Sequence, residues 1–413
     1  MTNKNYIIFI SAIILIIFSA NSSEAQVKKS VYSLFGIGEL TDNGYGVNKS
    51  LGGTGIAFQS GRSVNYMNPA SYLGIAENSI NIELGIYGLY NTAKTSSVIR
   101  SDADINLSYF ASTFYLADRW ALCLGVTPYS SVDYKIISSD QIEGEFTSYE
   151  KVYMGSGGLN RIFLGNSFKL YKGLSFGFNA SVFFGKFSQI ETAVSSGSFN
   201  GYTLTNQRIA YTFYLDYGLQ YTLIHNDFSY TIGLIYGGGR TLNTSDDADF
   251  EYESATVAID LDNHSLLKIP RKFGVGFALN KGQNIRAGID YEWRNWADIN
   301  FSDQENIETR NSQRYSIGLE YSPGQRKNWF KNLLYRIGAN YKNSYLKIKN
   351  IPIDSKSINM GIGIPYGQTS IFNIAFEYGE EGILKKGLIK NRYGELYLSF
   401  SLHEILALKP QDD

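Results

Sequence analysis

The residues best able to move protons near neutral pH are three histidines, His225, His264 and His403. His225 falls in a turn, His264 in a polar loop and His403 at the end of the last periodic segment. None stands beside a serine and an acid on one strand face, as a nucleophilic triad requires. His, Cys, Asp and Glu nowhere recur at metal-ligand spacing. The expectation is a protein that is not an enzyme, with no cofactor and no metal. Cys123 is the single cysteine, so no internal disulfide framework can form. What remains is a set of charges on otherwise periodic segments: Glu83, Asp216, Arg286, Asp290, Glu292, Arg294, Glu320, Arg336, Glu377 and Glu395. Arg286 and Arg336 are expected near Asp290 or Glu320. Two chemistries suit them. They can brace a wall against a plug as an ionic network, or one arginine can receive a substrate carboxylate through paired hydrogen bonds.

These charges sit in runs of strict alternation. Successive strand side chains point to opposite faces. From Ile209 to Leu223 the odd positions are Ile, Tyr, Phe, Leu, Tyr, Leu, Tyr and Leu, and the even ones are mostly small or polar. The pattern returns at 174–185, 285–294, 315–322, 335–342 and 358–364. Strands are expected at 79–90, 104–116, 120–137, 158–170, 174–188, 208–224, 227–243, 268–280, 284–299, 313–322, 333–348, 356–365, 370–378 and 392–403. Segments 144–154 and 250–260 read as extensions into loops. That is about fourteen strands, an even number that can close a barrel. Tight turns at Asp118-Arg119, Lys172-Gly173, Asn226-Asp227 and Lys281-Gly282 alternate with longer polar loops at 188–207, 243–267, 299–312 and 378–391.

Composition agrees. Tyr (32), Phe (25) and Gly (41) are abundant and Pro (7) is scarce, a strand-forming mixture. The net charge of −1 suggests no nucleic-acid partner. Residues 1–25 read as a secretory signal: Lys4, an apolar run from Tyr6 to Phe18, then Ser23-x-Ala25 with cleavage before Gln26. A soluble sandwich would also alternate. Long strands, and aromatics near strand ends (Tyr90, Tyr115, Trp120, Tyr236, Trp293, Trp296, Tyr341, Tyr378), favour a membrane barrel with interfacial girdles. The expected location is the outer membrane of a Gram-negative bacterium, as a monomer among outer-membrane lipids.

Residues 26–78 break the alternation. They are Gly-rich yet hold Val31, Tyr32, Leu34, Phe35, Ile37, Leu51, Ile56, Phe58, Tyr66 and Met67, too apolar for a solvated tail. A plug packed in the lumen accounts for them, because glycine lets backbone approach the wall closely. The expected organisation is 1–25 signal, 26–78 plug and 79–413 barrel.

Two motifs in this segment, Leu51-Gly52-Gly53-Thr54-Gly55-Ile56-Ala57 and Asn68-Pro69-Ala70, resemble the FadL-type family of outer-membrane transporters for hydrophobic compounds. Leu267 to Gly276 is similar to that family's Pro-then-Gly entry to a mid-barrel strand. Gly361 to Tyr366 and Phe376 to Gly379 resemble members from Bacteroidetes. The resemblance implies a fourteen-stranded, all-β barrel plugged by an N-terminal hatch. Gly52, Gly53, Gly55, Asn68, Pro69 and Ala70 would be hatch or gate residues. A lipophilic, fatty-acid-like ligand would be captured by outer loops and would leave sideways through a wall opening. No long apolar helical loop stands between residues 137 and 158, where that family builds its outer binding groove. Some FadL-like barrels, the PorV type, serve instead as shuttles or anchors for secreted proteins in type IX secretion; that role, or a structural outer-membrane one, is the alternative.

Overall fold

The computed structural model describes residues 30–41, 44–141, 148–194, 200–253, 255–259, 267–299, 306–324, 329–366 and 370–405. The expected signal and its cleavage point, together with His264, lie outside the described residues. The chain forms a closed antiparallel barrel of 14 strands. They are β1 (Ser79–Lys94), β2 (Ile99–Ala117), β3 (in two segments, Trp120–Pro128 and Ser130–Gln141), β4 (Ser148–Tyr171), β5 (Leu174–Ala193), β6 (Tyr202–His225), β7 (Phe228–Gly237), β8 (Arg271–Lys281), β9 (Ile285–Asn295), β10 (Ser312–Tyr321), β11 (Leu334–Asn343), β12 (Ser355–Tyr366), β13 (Ser370–Gly382) and β14 (Lys390–Ile405). Closure comes from β1, which pairs with β14 from Ser79↔Ile405 to Lys94↔Lys390.

The faces are inside-out relative to a soluble sheet. On β6, Ile209, Tyr211, Phe213, Tyr217 and Tyr221 are exposed, while Ala210, Thr212, Tyr214, Asp216 and Gln220 are buried. Phe213 is 52% exposed and Asp216 only 3%. A water-soluble sandwich would bury the apolar phase. An apolar outer band around a polar lumen is the arrangement a bilayer requires.

Alternation located all fourteen strands but stopped short at one end. β4 starts at Ser148 and β6 at Tyr202, about ten and six residues earlier than the pattern suggested. Beyond the lipid the outer face no longer has to be apolar, so the contrast fades while backbone pairing continues. The outer end of β6 pairs with a further segment, Asn243–Tyr252, which in turn pairs with Ala255–Ile259. Three strand ends were overextended; β11 stops at Asn343, and Leu346–Ile348 belongs to a separate small sheet. β7 stops at Gly237, ahead of Gly238 and Gly239. β9 stops at Asn295, and Trp296 turns inward, fully buried and stacked on Tyr345 at 4.3 Å. Trp296 is therefore part of the outer core and not of a girdle. The alternation of loop lengths is also imperfect. β1 and β2 are joined at the long-loop end by only 95–98. β10 and β11 are joined at the short-turn end by 322–333, which includes a 3-10 turn at Trp329–Asn332.

Candidate functional site

Chain segment 44–75 crosses the lumen and is almost wholly buried. Its core is the short helix α1 (Gly46–Ser50) and a 3-10 turn at Pro69–Gly74. Room for it is made by glycines on the inner face of the wall. Gly288, Gly318 and Gly338 occupy one register row across β9, β10 and β11. A Cβ on Gly318 would sit 2.7 Å from the carbonyl oxygen of Leu51, and one on Gly338 would strike the Leu51–Gly52 peptide. Gly177 and Gly218 are paired likewise and admit Pro69 and Asn68. Gly52 has φ 67° and lies against the Ala339 backbone, so both its conformation and its contact exclude a side chain. Gly53, at φ 76°, donates its N–H to the Asn48 carbonyl and completes the turn.

Wall side chains hold the segment through its backbone. Asp290 Oδ2 accepts from the Gly55 amide at 2.6 Å and the Ile56 amide at 2.9 Å. Glu83 accepts from the Val64 amide at 2.7 Å and from the Tyr109 hydroxyl at 2.6 Å. Gln220 Nε2 donates to the Ile56 carbonyl at 2.9 Å. Asn68 joins segment to wall. Its Nδ2 donates to Ile56 O at 2.7 Å and, at longer range, to the wall carbonyls of Leu219 and Leu234. Its Oδ1 caps the Ala70 amide at 3.0 Å. Pro69 starts the 3-10 turn, where its missing N–H is not needed. The Ala70 carbonyl accepts from Ser167 Oγ at 3.0 Å. Nearer the loop end the Tyr32 hydroxyl donates to the Ile389 carbonyl, and burial pushes its pKa up to about 12. Burial also drives the Tyr45 and Tyr72 hydroxyls well above the usual phenol range, so both stay neutral.

The four charged candidates divide into two groups. Arg286, Glu320 and Arg336 share one register row, directly below the Gly288–Gly318–Gly338 row. Arg336 Nε donates to Glu320 Oε2 at 2.6 Å and Arg336 Nη1 to Asn373 at 2.8 Å. Arg286 approaches the other Glu320 oxygen at 3.8 Å and lies over the Phe58 ring. Asp290 is not part of this cluster. Its register partners are Gly276 and Ser316, two inward rungs away, and its carboxylate serves the 55–56 amides. The parity of two further arginines went unread. Arg161 pairs with Asp216, and Arg314 joins Arg294 on Glu292. The Arg286–Glu320–Arg336 row borders a vestibule of about 1160 Å³ that reaches the short-turn end at Gly282 and Asn284.

A second cavity lies on the other side of α1, below a break in the wall. β2 pairs with β3 only from Phe110 to Ala117. Its outer part, Ile99–Leu107, pairs with β1 alone. The outer segment of β3 pairs with β4 over Val132–Gln141 and offers β2 no ladder. The strands fork at Ser108 and Pro128. The cause is local: β3 bends inward at Tyr129, whose ring packs edge-on against Phe183 at 4.7 Å. Opposite the bend, Gly157 and Gly158 take φ values of 113° and 138°. On the inner side Glu39 and Leu40 add a two-residue strand to Ser131 and Ser130. The cavity at the foot of this fork has a volume of about 80 Å³. Its lining includes Ser108, Thr127 and Pro128 from the fork, Lys49 from α1 and Glu377, Glu395 and Tyr397 from the wall. Nothing in the alternation pattern marks Lys49, which precedes the periodic part of the chain. Of the two histidines described, His225 is the last residue of β6 rather than part of the turn that follows, and the His403 amide donates to Ser370 Oγ at 3.3 Å.

A fourteen-stranded barrel with an N-terminal segment folded into its lumen is the fold of the FadL-type channels. The toluene transporter TbuX of Ralstonia pickettii is similar over 86% of this chain and 97% of that one, at 14% identity and a TM-score of 0.58. The Pseudomonas putida toluene transporter TodX matches over 92% and 100%, at 15% identity and a TM-score of 0.59. A FadL homologue of Pseudomonas aeruginosa matches over 90% and 100%, at 12% identity and a TM-score of 0.55. Identity at this level establishes the fold. Within that fold, the family model described as BamG matches residues 3–407, and the chain belongs to the BamG family. No curated protein matches it.

Proposed function

We propose that the chain is an outer-membrane channel through which a small lipophilic molecule passes between the lumen and the bilayer. The single observation that carries this is the fork between β2 and β3, which leaves the wall unpaired above Ser108 and Pro128, beside a lumenal cavity. An unpaired strand edge facing hydrocarbon is disfavoured, so the fork is a feature with a use. Residues 1–25 direct export, and the monomer sits among outer-membrane lipids. Segment 26–78 is the hatch. The cavity of about 80 Å³ is far below the roughly 300–1,000 Å³ of ordinary ligand pockets. Passage therefore requires the hatch to move, with Gly52, Gly53 and Gly55 as its flexible points and Asn68-Pro69-Ala70 as its fixed foot. The toluene transporters and the FadL homologue that share the fold make monoaromatic and longer-chain lipophiles the first compounds to try.

The test is uptake of radiolabelled toluene and dodecanol by cells with the gene, without it, and with Ser108→Trp, which fills the fork. The channel gives faster uptake with the gene and a return to the deletion rate with the tryptophan. Equal uptake of every lipophile with and without the gene would sink the proposal.

A further inference from the structure

The cavity at the foot of the fork is not apolar. It is lined by Glu39, Glu377, Glu381 and Glu395, against a single cation, Lys49. Several of these carboxylates are held by neutral donors. Glu377 accepts from the Tyr393 hydroxyl at 3.2 Å, Glu381 from Ser30 Oγ at 3.1 Å, and Glu395 from the Tyr397 hydroxyl. Such bonds orient a carboxylate. Lys49 is 7% exposed and lies with its ammonium 4.8 Å from the centre of the Tyr397 ring. A second feature asks for a donor. Asn391, 2% exposed, lines the same cavity, and its Oδ1 has no hydrogen-bond partner.

We propose that this cavity selects amphiphiles carrying a positively charged amino group and turns carboxylates away. The inference rests on the channel proposal and names the class of molecule that channel takes. An ammonium group supplies what the lining lacks: positive charge against an excess of carboxylate, N–H donors for Asn391 Oδ1, and a cation for the faces of Tyr87, Tyr393 and Tyr397. Lys49 over Tyr397 shows that the site already holds one ammonium in this way. A carboxylate ligand would be placed beside the Glu39, Glu377 and Glu395 carboxylates in a poorly hydrated space, where repulsion is strongest. A bare metal ion suits the lining less well, because among the described residues no three His, Cys, Asp or Glu converge as a metal site. The sign is local. The vestibule on the other side of α1 carries Arg62, Arg286 and Arg336 against Glu320.

Equilibrium dialysis of the full-length protein in lipid nanodiscs, with 2-phenylethylamine, ethylbenzene and phenylacetate, tests it. These probes share a ring and differ in charge. The amine should bind at least tenfold tighter than phenylacetate. The double variant Glu377→Gln/Glu395→Gln should narrow that ratio below threefold. Lys49→Met should widen it, and provides the answer if the double variant does not fold. Phenylacetate binding as tightly as the amine would overturn the proposal, as would a ratio that both variants leave unchanged. If ethylbenzene binds with no preference for the amine, charge selection fails and the channel stands. If none of the three binds, both fail.

Discussion

Val47 and Lys49, two residues apart on α1, line different cavities: Val47 the vestibule at the short-turn end and Lys49 the cavity at the wall fork. This one helical turn is the partition between the two spaces. Removing residues 30–75 should therefore turn a closed barrel into an open pore. In planar bilayers the truncated barrel is expected to show stable, large single-channel conductance where the full chain shows none. Sensitivity of cells to large antibiotics that the outer membrane normally excludes should rise in parallel. A truncated barrel that folds and stays silent would mean that the outer loops, not the hatch, close the lumen.

The hold of the wall on the hatch is concentrated at Asp290. Its Oδ2 takes two backbone amides, Gly55 and Ile56. Hydrogen bonds to a charged group contribute about 1.5–3 kcal/mol each, and Asp290→Ala leaves both buried amides without that acceptor. Hydrogen exchange at residues 55 and 56 should accelerate by at least tenfold while the strand amides of β9 and β10 keep their protection. Exchange that rises equally in hatch and wall would show that Asp290 stabilises the barrel as a whole.

The glycine row makes a sharper prediction, because it concerns shape alone. Gly338 lies inward against the Leu51–Gly52 peptide, while its neighbour Ala339 lines an outward-facing groove. Gly338→Val should expel the hatch: the barrel still shows heat-modifiable migration on gels, but segment 44–75 becomes open to protease. Ala339→Val, one residue away on the other face, should leave the segment protected. Matching protease patterns for the two variants would refute the view that wall glycines exist to admit the hatch.

How much of this was legible in the sequence depends on what each feature leaves in a single chain. Alternation such as Ile209 to Leu223 is written by the bilayer on every strand, so the strand number and the two faces could be read. The glycines on the inner phase, Gly288, Gly318 and Gly338, could be read as room for a plug. Their alignment in one row could not, because register is a relation between strands. For the same reason Arg286 and Arg336 were placed near Asp290 or Glu320, and only pairing showed that both belong to Glu320. The fork arises from an inward bend at Tyr129 opposite Gly157 and Gly158, and along the chain only Pro128 and the off-phase Tyr129 and Ser130 mark it. Glu39 and Lys49 from the N-terminal segment meet Asn391 from the far end of the chain, and nothing in their local sequence announces it.

We propose that the row Arg286–Glu320–Arg336 braces the wall, one of the two roles left open by the residue types. Arg336 is buried, with Nε on Glu320 and Nη1 on Asn373. Bracing is the role this supports. Removing one member of a buried pair strands the other charge, at a typical cost of about 3–5 kcal/mol. Arg336→Met should thus lower barrel stability in urea by at most that order, because Arg286 remains beside Glu320 at 3.8 Å. Arg336→Met combined with Glu320→Leu should recover most of the loss, since neither charge is then left alone. A receptor would behave oppositely: Arg336→Met would leave unfolding unchanged and weaken binding of an acidic ligand, and the second substitution would restore nothing.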